Sequence, residues 1–217
     1  MSDYNAPVKD MRFIFDELCD FEGMNRLPAF ADVTPDLVDH ILNESAKFTR
    51  EVVGPLNQSG DQQTSTLDAG VVTTPDGFKE AYASFVEGGW NGTPFRPEDG
   101  GMGLPWTLTT ALQEMWQSAS LAWSLCPLLT IGAIEAVIAH ATPQLRAAYL
   151  PKLVSGEWSG TMNLTEPQAG SDVGALRTTA QPITEGEHAG KYRIKGQKIY
   201  ITWGEHELAK NIIHLVL

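Results

Sequence analysis

The sequence predicts an α+β protein in which an N-terminal all-α domain is followed by the first part of an antiparallel β domain. Apolar residues recur at helical spacing up to residue 154, and they alternate with polar residues after residue 157. A threonine followed by proline, a typical helix start, occurs at Thr34, Thr74 and Thr142. The change of periodicity predicts an arm over 1–33, a helical domain over 34–156 and a β domain over 157–217.

The arm is predicted to hold one short amphipathic helix. Val8, Met11, Phe15 and Leu18 fall on one face at helical spacing, so this face must dock on another part of the protein. Residues 20–32 contain glycine and proline and are predicted to be irregular. Two interpretations stay open for them: a flap over the main body, or a tether packed in a groove.

Five longer helices are predicted in the helical domain. Gly54-Pro55 is expected to end the first of them, and the polar residues 57–74 are expected to form a surface loop. The run Leu121–Ala141 approaches the length of a membrane span, but polar residues interrupt it. We interpret it as a core helix and expect no membrane insertion. The predicted helices cover 35–53, 75–88, 105–119, 120–141 and 143–154.

After the helices, alternating patterns predict only strands and turns. A polar segment over 185–190 predicts a turn between two of these strands. The predicted strands cover 158–165, 178–183, 192–198, 199–203 and 212–217.

Charge and cysteine content limit the partners of the protein. With 27 acidic and 15 basic residues the net charge is -12, which argues against nucleic acid and anionic membranes as partners. Cys19 and Cys126 are too far apart in sequence to suggest a disulfide framework or a metal site, and a cytoplasmic setting fits them. The five histidines lack ligand spacing, so we interpret them as packed or solvated and expect no metal.

The stretch 162–174 is the most informative about function. Ala169, Gly170 and Ser171 are small, so they allow backbone N–H groups to approach a ligand closely. The side chains of Thr165 and Ser171 add two hydroxyl groups that can donate or accept hydrogen bonds. From composition alone, an ordinary turn between two strands is an equally good interpretation.

This stretch also resembles a known motif. Leu164-Thr165-Glu166-Pro167-x-Ala169-Gly170-Ser171-Asp172 is similar in order and spacing to the motif of the acyl-CoA dehydrogenase family. Two more segments, 97–104 and 145–157, resemble a glycine-rich loop and a helix of the same family. The arm resembles the longer-chain branch, which includes methylmercaptopropionyl-CoA dehydrogenases.

The resemblance implies an acyl-CoA dehydrogenase-like fold and an FAD site made from two segments. In the first segment, Met162, Leu164 and Thr165 would run along the isoalloxazine edge, and Gly170 and Ser171 would lie at the loop end. Ser171 would meet either substrate or cofactor. The second segment is Tyr200-Ile201-Thr202, with Thr202 near flavin N5.

The second segment departs from the family pattern in two ways. Tyr200 stands where tryptophan is usual, and Trp203-Gly204 stands where Asn-Gly is usual. Tyrosine keeps a flat aromatic face, whereas Trp203 changes the loop. Without the upstream motif, an ordinary β-strand would explain Tyr200-Ile201-Thr202, because these residue types favour strands.

The resemblance also implies the reaction. A base would remove the α-proton of an acyl-CoA while hydride leaves the β-carbon for the flavin. The family's base is a glutamate in a C-terminal helical domain, so no catalytic residue is assigned in this chain, which we expect to be the N-terminal part of a longer enzyme. Electron transfer flavoprotein is the expected electron acceptor, and a homo-oligomer the expected assembly. The alternatives are an acyl-CoA oxidase and a nucleic-acid-binding flavoprotein of the alkylation response.

An alternative, catalytic role can be considered for the carboxylates of Glu166 and Asp172. Two carboxylates at this spacing could form a glycosidase acid/base pair. Nothing else in the sequence suggests a sugar site, and in the resembled family these positions shape the loop. We therefore expect a structural role for both.

Overall fold

The computed structural model describes residues 4–217, and in this part of the chain eight α-helices precede or flank six short strands. The helices are α1 (Val8–Glu17), α2 (Phe21–Met24), α3 (Pro35–Phe48), α4 (Gly54–Gln63), α5 (Phe78–Glu87), α6 (Trp106–Ala119), α7 (Leu121–His140) and α8 (Pro143–Val154). The strands are β1 (Thr66–Asp68), β2 (Val71–Thr73), β3 (Ser159–Asn163), β4 (Thr179–Pro182), β5 (Tyr192–Lys195) and β6 (Ile212–Val216).

The predicted fold class is confirmed, because helices dominate up to residue 154 and strands follow. Beyond residue 157 the described chain holds one short 3-10 turn, Val173–Ala175, and no α-helix. β4 pairs with β5 in antiparallel fashion, as predicted. β3 and β6 are parallel, with Ser159 opposite Ile212, which the long connection between them permits. The assignment of 157–217 to a separate domain stays a prediction.

The arm docks on the helical domain through α1. Met11 and Phe15 are buried as predicted, and Phe15 stacks on Phe21 of α2 with ring centroids 5.2 Å apart. The prediction for Leu18 was wrong: α1 ends at Glu17, and the Leu18 side chain is 73% exposed. Residues 20–32 are more regular than expected, since they hold α2 and a 3-10 turn at Pro28–Phe30.

The predicted helix end at Gly54-Pro55 was wrong. A π-helical turn, Thr49–Val53, joins α3 to α4, so the helical path continues to Gln63. The Gly54 N–H donates to the Thr49 carbonyl, five residues back. Proline has no N–H to donate and clashes with the preceding turn of an α-helix, and the wider π-turn accommodates it.

The predicted loop over 57–74 also holds a β-hairpin. β1 and β2 pair in antiparallel fashion with Asp68 opposite Val71. The two residues between them, Ala69 and Gly70, both have positive φ, as a type I′ turn requires. The sequence did not predict this turn, because alanine is unusual at a position with positive φ, where asparagine or aspartate is typical.

Aromatic rings hold the helical domain together. Phe85 of α5 meets Trp116 of α6 and Trp123 of α7 edge to face, at centroid distances of 5.0 and 5.6 Å. The indole of Trp116 donates to the Ser45 hydroxyl, and that of Trp123 to the Phe78 carbonyl. Each buried indole therefore packs as an apolar body and still has a partner for its N–H.

Among the described helices, α7 is long and apolar enough to cross a membrane. Its inward residues, including Trp123, Ile134 and Val137, are buried in the protein core. β3 lies directly on this helix, where the Thr130 hydroxyl accepts from the Gly160 N–H. The packing agrees with the interpretation of α7 as a core helix.

Two local predictions around the β domain were wrong. Residues 199–203 form a turn rather than a strand: Tyr200 and Trp203 have positive φ, and the Gly204 N–H donates to the Ile201 carbonyl. Thr74 does not cap a helix, because α5 begins only at Phe78. The Thr74 N–H and hydroxyl instead donate to Glu207, far away in sequence.

The close approach of β3 to α7 gives a stability prediction. A Cβ on Gly160 would lie 2.4 Å from the Ala133 Cβ, so Gly160→Ala should destabilise the protein by about 1–3 kcal/mol through overpacking. Gly132 lies in α7 next to Ala133 and has open space around its Cβ position. Gly132→Ala should therefore stabilise the protein by about 0.5–1 kcal/mol. Urea unfolding measures both, and equal midpoints for the two variants would contradict this packing.

Candidate functional site

The structure brings the two predicted ligand-binding segments side by side. The Ile199 N–H donates to the Thr165 carbonyl at 2.9 Å, and the Lys198 ammonium donates to the Leu164 carbonyl at 2.8 Å. Within β3, three residues before Leu164, the Thr161 hydroxyl donates to the Thr202 carbonyl at 2.7 Å. The end of β3 and the turn at 199–204 therefore form one continuous edge.

Glu166 fixes the loop that follows β3. Its backbone exchanges two hydrogen bonds with Ala169, which closes a tight turn. Its carboxylate is 3% exposed. Five donors surround the two oxygens: the Thr178 N–H and hydroxyl, the Arg177 N–H, the Gln168 amide and the Lys198 ammonium, at 2.5–2.9 Å.

These donors keep Glu166 ionised. The hydrogen bond from the Thr178 hydroxyl, followed by those from the Arg177 N–H and Lys198, holds the pKa of the Glu166 carboxyl well below its usual value, although burial acts in the opposite direction. Asp172 acts locally, since its carboxylate accepts from the Gly174 N–H. Both carboxylates shape the loop, as expected, and neither is arranged as a general acid.

The predicted site residues line the exposed side of this edge. Leu164, Thr165 and Ile201 are half-buried, whereas Met162, Gly170, Ser171, Tyr200 and Thr202 are exposed. Tyr200 is 88% exposed. Within residues 4–217 the hydroxyl groups of Thr165, Ser171 and Thr202 bond to no other protein group, so all three are available to a ligand.

An open groove runs beside the same edge. Its volume is about 680 Å³, and Tyr200 and Ile201 form one wall. Leu67 and Val72 of the β1–β2 hairpin also line it. A larger crease of about 940 Å³ lies between the arm and α3. That crease contains the Arg12–Asp39 ion pair and lies away from the motif residues.

A buried polar cluster lies behind the edge. The His206 Nδ1 accepts the Leu208 N–H at 3.1 Å, so Nε2 carries the proton and donates to the Ser159 hydroxyl at 3.0 Å. The Cys126 sulfur lies 3.9 Å from the same nitrogen. Burial lowers the pKa of His206, and the carboxylates of Glu207 and Glu205 oppose this shift. Burial also raises the pKa of the Cys126 thiol, so neither group is an activated nucleophile or base.

Sequence reasoning missed the residues that join the two segments. Lys198 and Thr161 make these contacts, and neither belongs to the resembled motif. A lysine two residues before the second segment was the available signal, because a half-buried ammonium needs an anionic partner such as Glu166. The other four histidines are exposed and His206 is packed, as interpreted.

Comparison with known proteins identifies the family. A family model described as "Acyl-CoA dehydrogenase, N-terminal domain" matches residues 39–157, more than half of the chain. The chain belongs to the acyl-CoA dehydrogenase family. The use of Met162, Leu164, Thr165, Gly170, Ser171, Tyr200, Ile201 and Thr202 for FAD stays a prediction.

Individual relatives agree with this assignment. A 3-methylmercaptopropionyl-CoA dehydrogenase of Ruegeria pomeroyi is 44% identical over 99% of this chain and 36% of its own length. A butyryl-CoA dehydrogenase of Syntrophomonas wolfei is 38% identical over 99% of this chain and 35% of its own. The chain thus spans about a third of these relatives, and both alignments include the arm.

A solved structure supports the fold. The acyl-CoA dehydrogenase of Bacillus anthracis, determined in complex with FAD, superposes on 77% of this chain and 27% of its own length. The TM-score is 0.62 and the sequence identity is 25%. The chain therefore shares the backbone arrangement of the matched part of that enzyme.

The Glu166 network gives a second prediction. In Glu166→Gln the side chain loses its charge, and an amide NH2 group, which cannot accept, replaces one of its two oxygens. Either the Lys198 and Thr178 donors on Oε1 or the Arg177 and Gln168 donors on Oε2 then lose their acceptor. The thermal midpoint should fall, and proteolysis should become faster between residues 164 and 178. Glu185→Gln, which changes an exposed glutamate in the β4–β5 turn, is the matched control. If both variants melt and cleave alike, Glu166 does not hold the loop.

The His206 cluster gives a prediction on pH. Because burial keeps the pKa of folded His206 below its usual 6.5, the unfolded chain binds a proton that the folded chain does not. The resulting stability is complete above about pH 6.5 and is lost as the pH falls towards the folded pKa. His206→Gln keeps a donor for Ser159 and removes this titration, so its urea midpoint should vary less with pH than that of the wild type.

The control for this measurement is His188→Gln, which changes an exposed histidine in the β4–β5 turn. This variant should keep the wild-type dependence on pH. If His206→Gln also keeps it, the folded pKa of His206 is not lowered.

Proposed function

We propose that this chain forms the β-domain side of an FAD site in an enzyme that desaturates an acyl-CoA thioester. The observation that carries the proposal is the edge formed by residues 162–165 and 200–202, which presents the free hydroxyls of Thr165 and Thr202 while the carbonyls of Leu164, Thr165 and Thr202 are bonded within the protein. A flavin ring has a flat apolar face and a rim of hydrogen-bonding atoms. The exposed Tyr200 and Met162 suit the face, and the free hydroxyls suit the rim.

The residues would divide the work as follows. Bound FAD would supply the hydride acceptor of the reaction. Thr165 and Thr202 would donate hydrogen bonds to the ring and hold its orientation, and Met162 and Leu164 would exclude water from its edge. Gly170 leaves room for close approach, since nothing lies within 4 Å of its Cβ position. Ser171, next to it, would bind substrate or cofactor.

The base that removes the α-proton is not among these residues. Glu166 directly follows the first segment, but its lowered pKa makes it a weak base, and five donors already surround its oxygens. We therefore propose that the base lies in a part of the enzyme outside these 217 residues, since the relatives are about three times as long.

The acyl group, the electron acceptor and the cellular setting complete the proposal. The similarity to a 3-methylmercaptopropionyl-CoA dehydrogenase and a butyryl-CoA dehydrogenase favours a short acyl group. Electron transfer flavoprotein is proposed as acceptor, and a homo-oligomer as the active form. Cys19 and Cys126 are free thiols, which fits a cytoplasmic location.

The test of the reaction uses the purified holoenzyme. Anaerobic addition of a short acyl-CoA should bleach the flavin and yield the 2-enoyl-CoA in equal amount. Electron transfer flavoprotein should then reoxidise the flavin, whereas rapid reoxidation by air with release of peroxide would identify an oxidase. A protein without flavin, or one whose flavin is unaffected by acyl-CoA, would contradict the proposal.

Thr165→Val tests the residue assignment. Valine keeps the shape of threonine and removes its hydroxyl, so one hydrogen bond to the ring is lost, worth on the order of 1 kcal/mol. FAD retention should weaken or flavin reduction should slow several-fold. Thr184→Val, in the exposed β4–β5 turn, is the control and should behave as the wild type. If Thr165→Val keeps the FAD content and the reduction rate, the assignment of Thr165 is wrong.

A further inference from the structure

Thr202 is held by side chains on both sides. On one side the Thr161 hydroxyl donates to its backbone carbonyl at 2.7 Å. On the other side the next residue, Trp203, turns back into the helical domain, where its indole donates to the Ala122 carbonyl of α7 at 3.1 Å. The indole also stacks on Phe78 of α5, with centroids 6.2 Å apart and planes at 29°. The exposed hydroxyl of Thr202 thus stands on a backbone fixed at two points.

The backbone conformation of Trp203 is unfavourable by itself and must be stabilised by the contacts of its side chain. Its φ is +53°, in the left-handed region, at the third position of the turn from Ile201 to Gly204. Glycine and asparagine accept this conformation readily, whereas a bulky side chain adopts it at a cost. Such a conformation persists where the surroundings over-determine it. Here the contacts of the indole with Ala122 and Phe78 hold Trp203 in this conformation.

The chain after Trp203 extends the attachment. The His206 ring lies edge-on to the indole at 5.3 Å and bonds to Ser159 of β3. The next residue, Glu207, accepts two hydrogen bonds from Thr74, which precedes α5. The turn that presents Thr202 is therefore fastened to β3, to α7 and to the entry of α5.

We propose that Thr161 and Trp203 are positioning residues for Thr202, which fix its hydroxyl relative to the flavin without touching substrate or cofactor. Thr161 is 1% exposed and its hydroxyl is occupied by the Thr202 carbonyl, so it has no route to a ligand. This inference rests on the proposed function, since it assigns a role within that flavin site. A displacement of about 1 Å in a catalytic arrangement can lower the rate about 100-fold.

The experiment compares variants of the purified holoenzyme that change one contact each. Thr161→Val keeps the buried shape and removes the hydroxyl, and Thr161→Ser keeps the hydroxyl. Trp203→Phe keeps an aromatic ring on Phe78 and removes the donor to Ala122. Trp203→Asn relieves the backbone and removes the indole, so any loss of rate in it comes from the missing contacts.

We expect kcat to fall about tenfold in Thr161→Val and Trp203→Phe. The KM for acyl-CoA should stay unchanged, because neither residue contacts substrate. Trp203→Asn should lose at least as much, and Thr161→Ser should restore kcat. Amide hydrogen exchange over residues 199–204 should rise in the three slow variants. Thr109→Val removes a buried threonine hydroxyl in α6 and controls for a general loss of stability.

The outcomes separate this inference from the function on which it rests. A wild-type protein without flavin, or without activity on acyl-CoA, overturns both. An active wild type that Thr161→Val and Trp203→Phe match in kcat and in exchange overturns the positioning role alone. A loss that Thr161→Ser fails to restore, or that Thr109→Val shows equally, also overturns it, because the cause would then be general destabilisation.

Discussion

The candidate site depends on one buried ion pair, between the Glu166 carboxylate and the Lys198 ammonium. Each partner also ties down backbone that would otherwise be a free loop: Glu166 accepts from the Arg177 and Thr178 N–H groups, and Lys198 donates to the Leu164 carbonyl. A buried pair is costly to desolvate and needs such additional hydrogen bonds to be stable. The pair therefore fixes one arrangement of the two segments rather than simply adding stability.

The sequence predicted the helical domain well because its signals are local. Thr34 and Thr142 each precede a proline, and their hydroxyls cap α3 and α8 by accepting the Leu37 and Leu145 N–H groups. The same pattern at Thr74 failed, because Glu207, more than a hundred residues away, takes both of its donors. A cap can be predicted from neighbours in sequence, but a competing partner that only the tertiary fold brings close cannot.

In the site, too, local sequence predicted some features, whereas others depend on tertiary contacts. Motif residues such as Thr165 and Thr202 could be singled out from the sequence, and the structure does bring their segments together. The turn at 199–204 could not be predicted, since Tyr, Ile and Thr favour strands and a tryptophan at positive φ is rare. The contacts of the Trp203 indole with α7 and α5 outweigh these preferences, and they exist only after the helices have packed.

The two sides of the edge thus differ: its backbone carbonyls are bonded within the protein, and its hydroxyl groups are not. Behind it, the carbonyls of Leu164, Thr165 and Thr202 are all bonded within the protein, whereas the hydroxyls in front face solvent. A ligand that meets these hydroxyls finds donors already oriented, so little conformational entropy is lost when it binds. The same rigidity keeps the donors in place as charge moves during a reaction, which is the condition for electrostatic stabilisation by a preorganised site. The buried Thr161 hydroxyl and the Lys198 ammonium therefore orient the edge indirectly, by bonding to backbone carbonyls of the residues that form it.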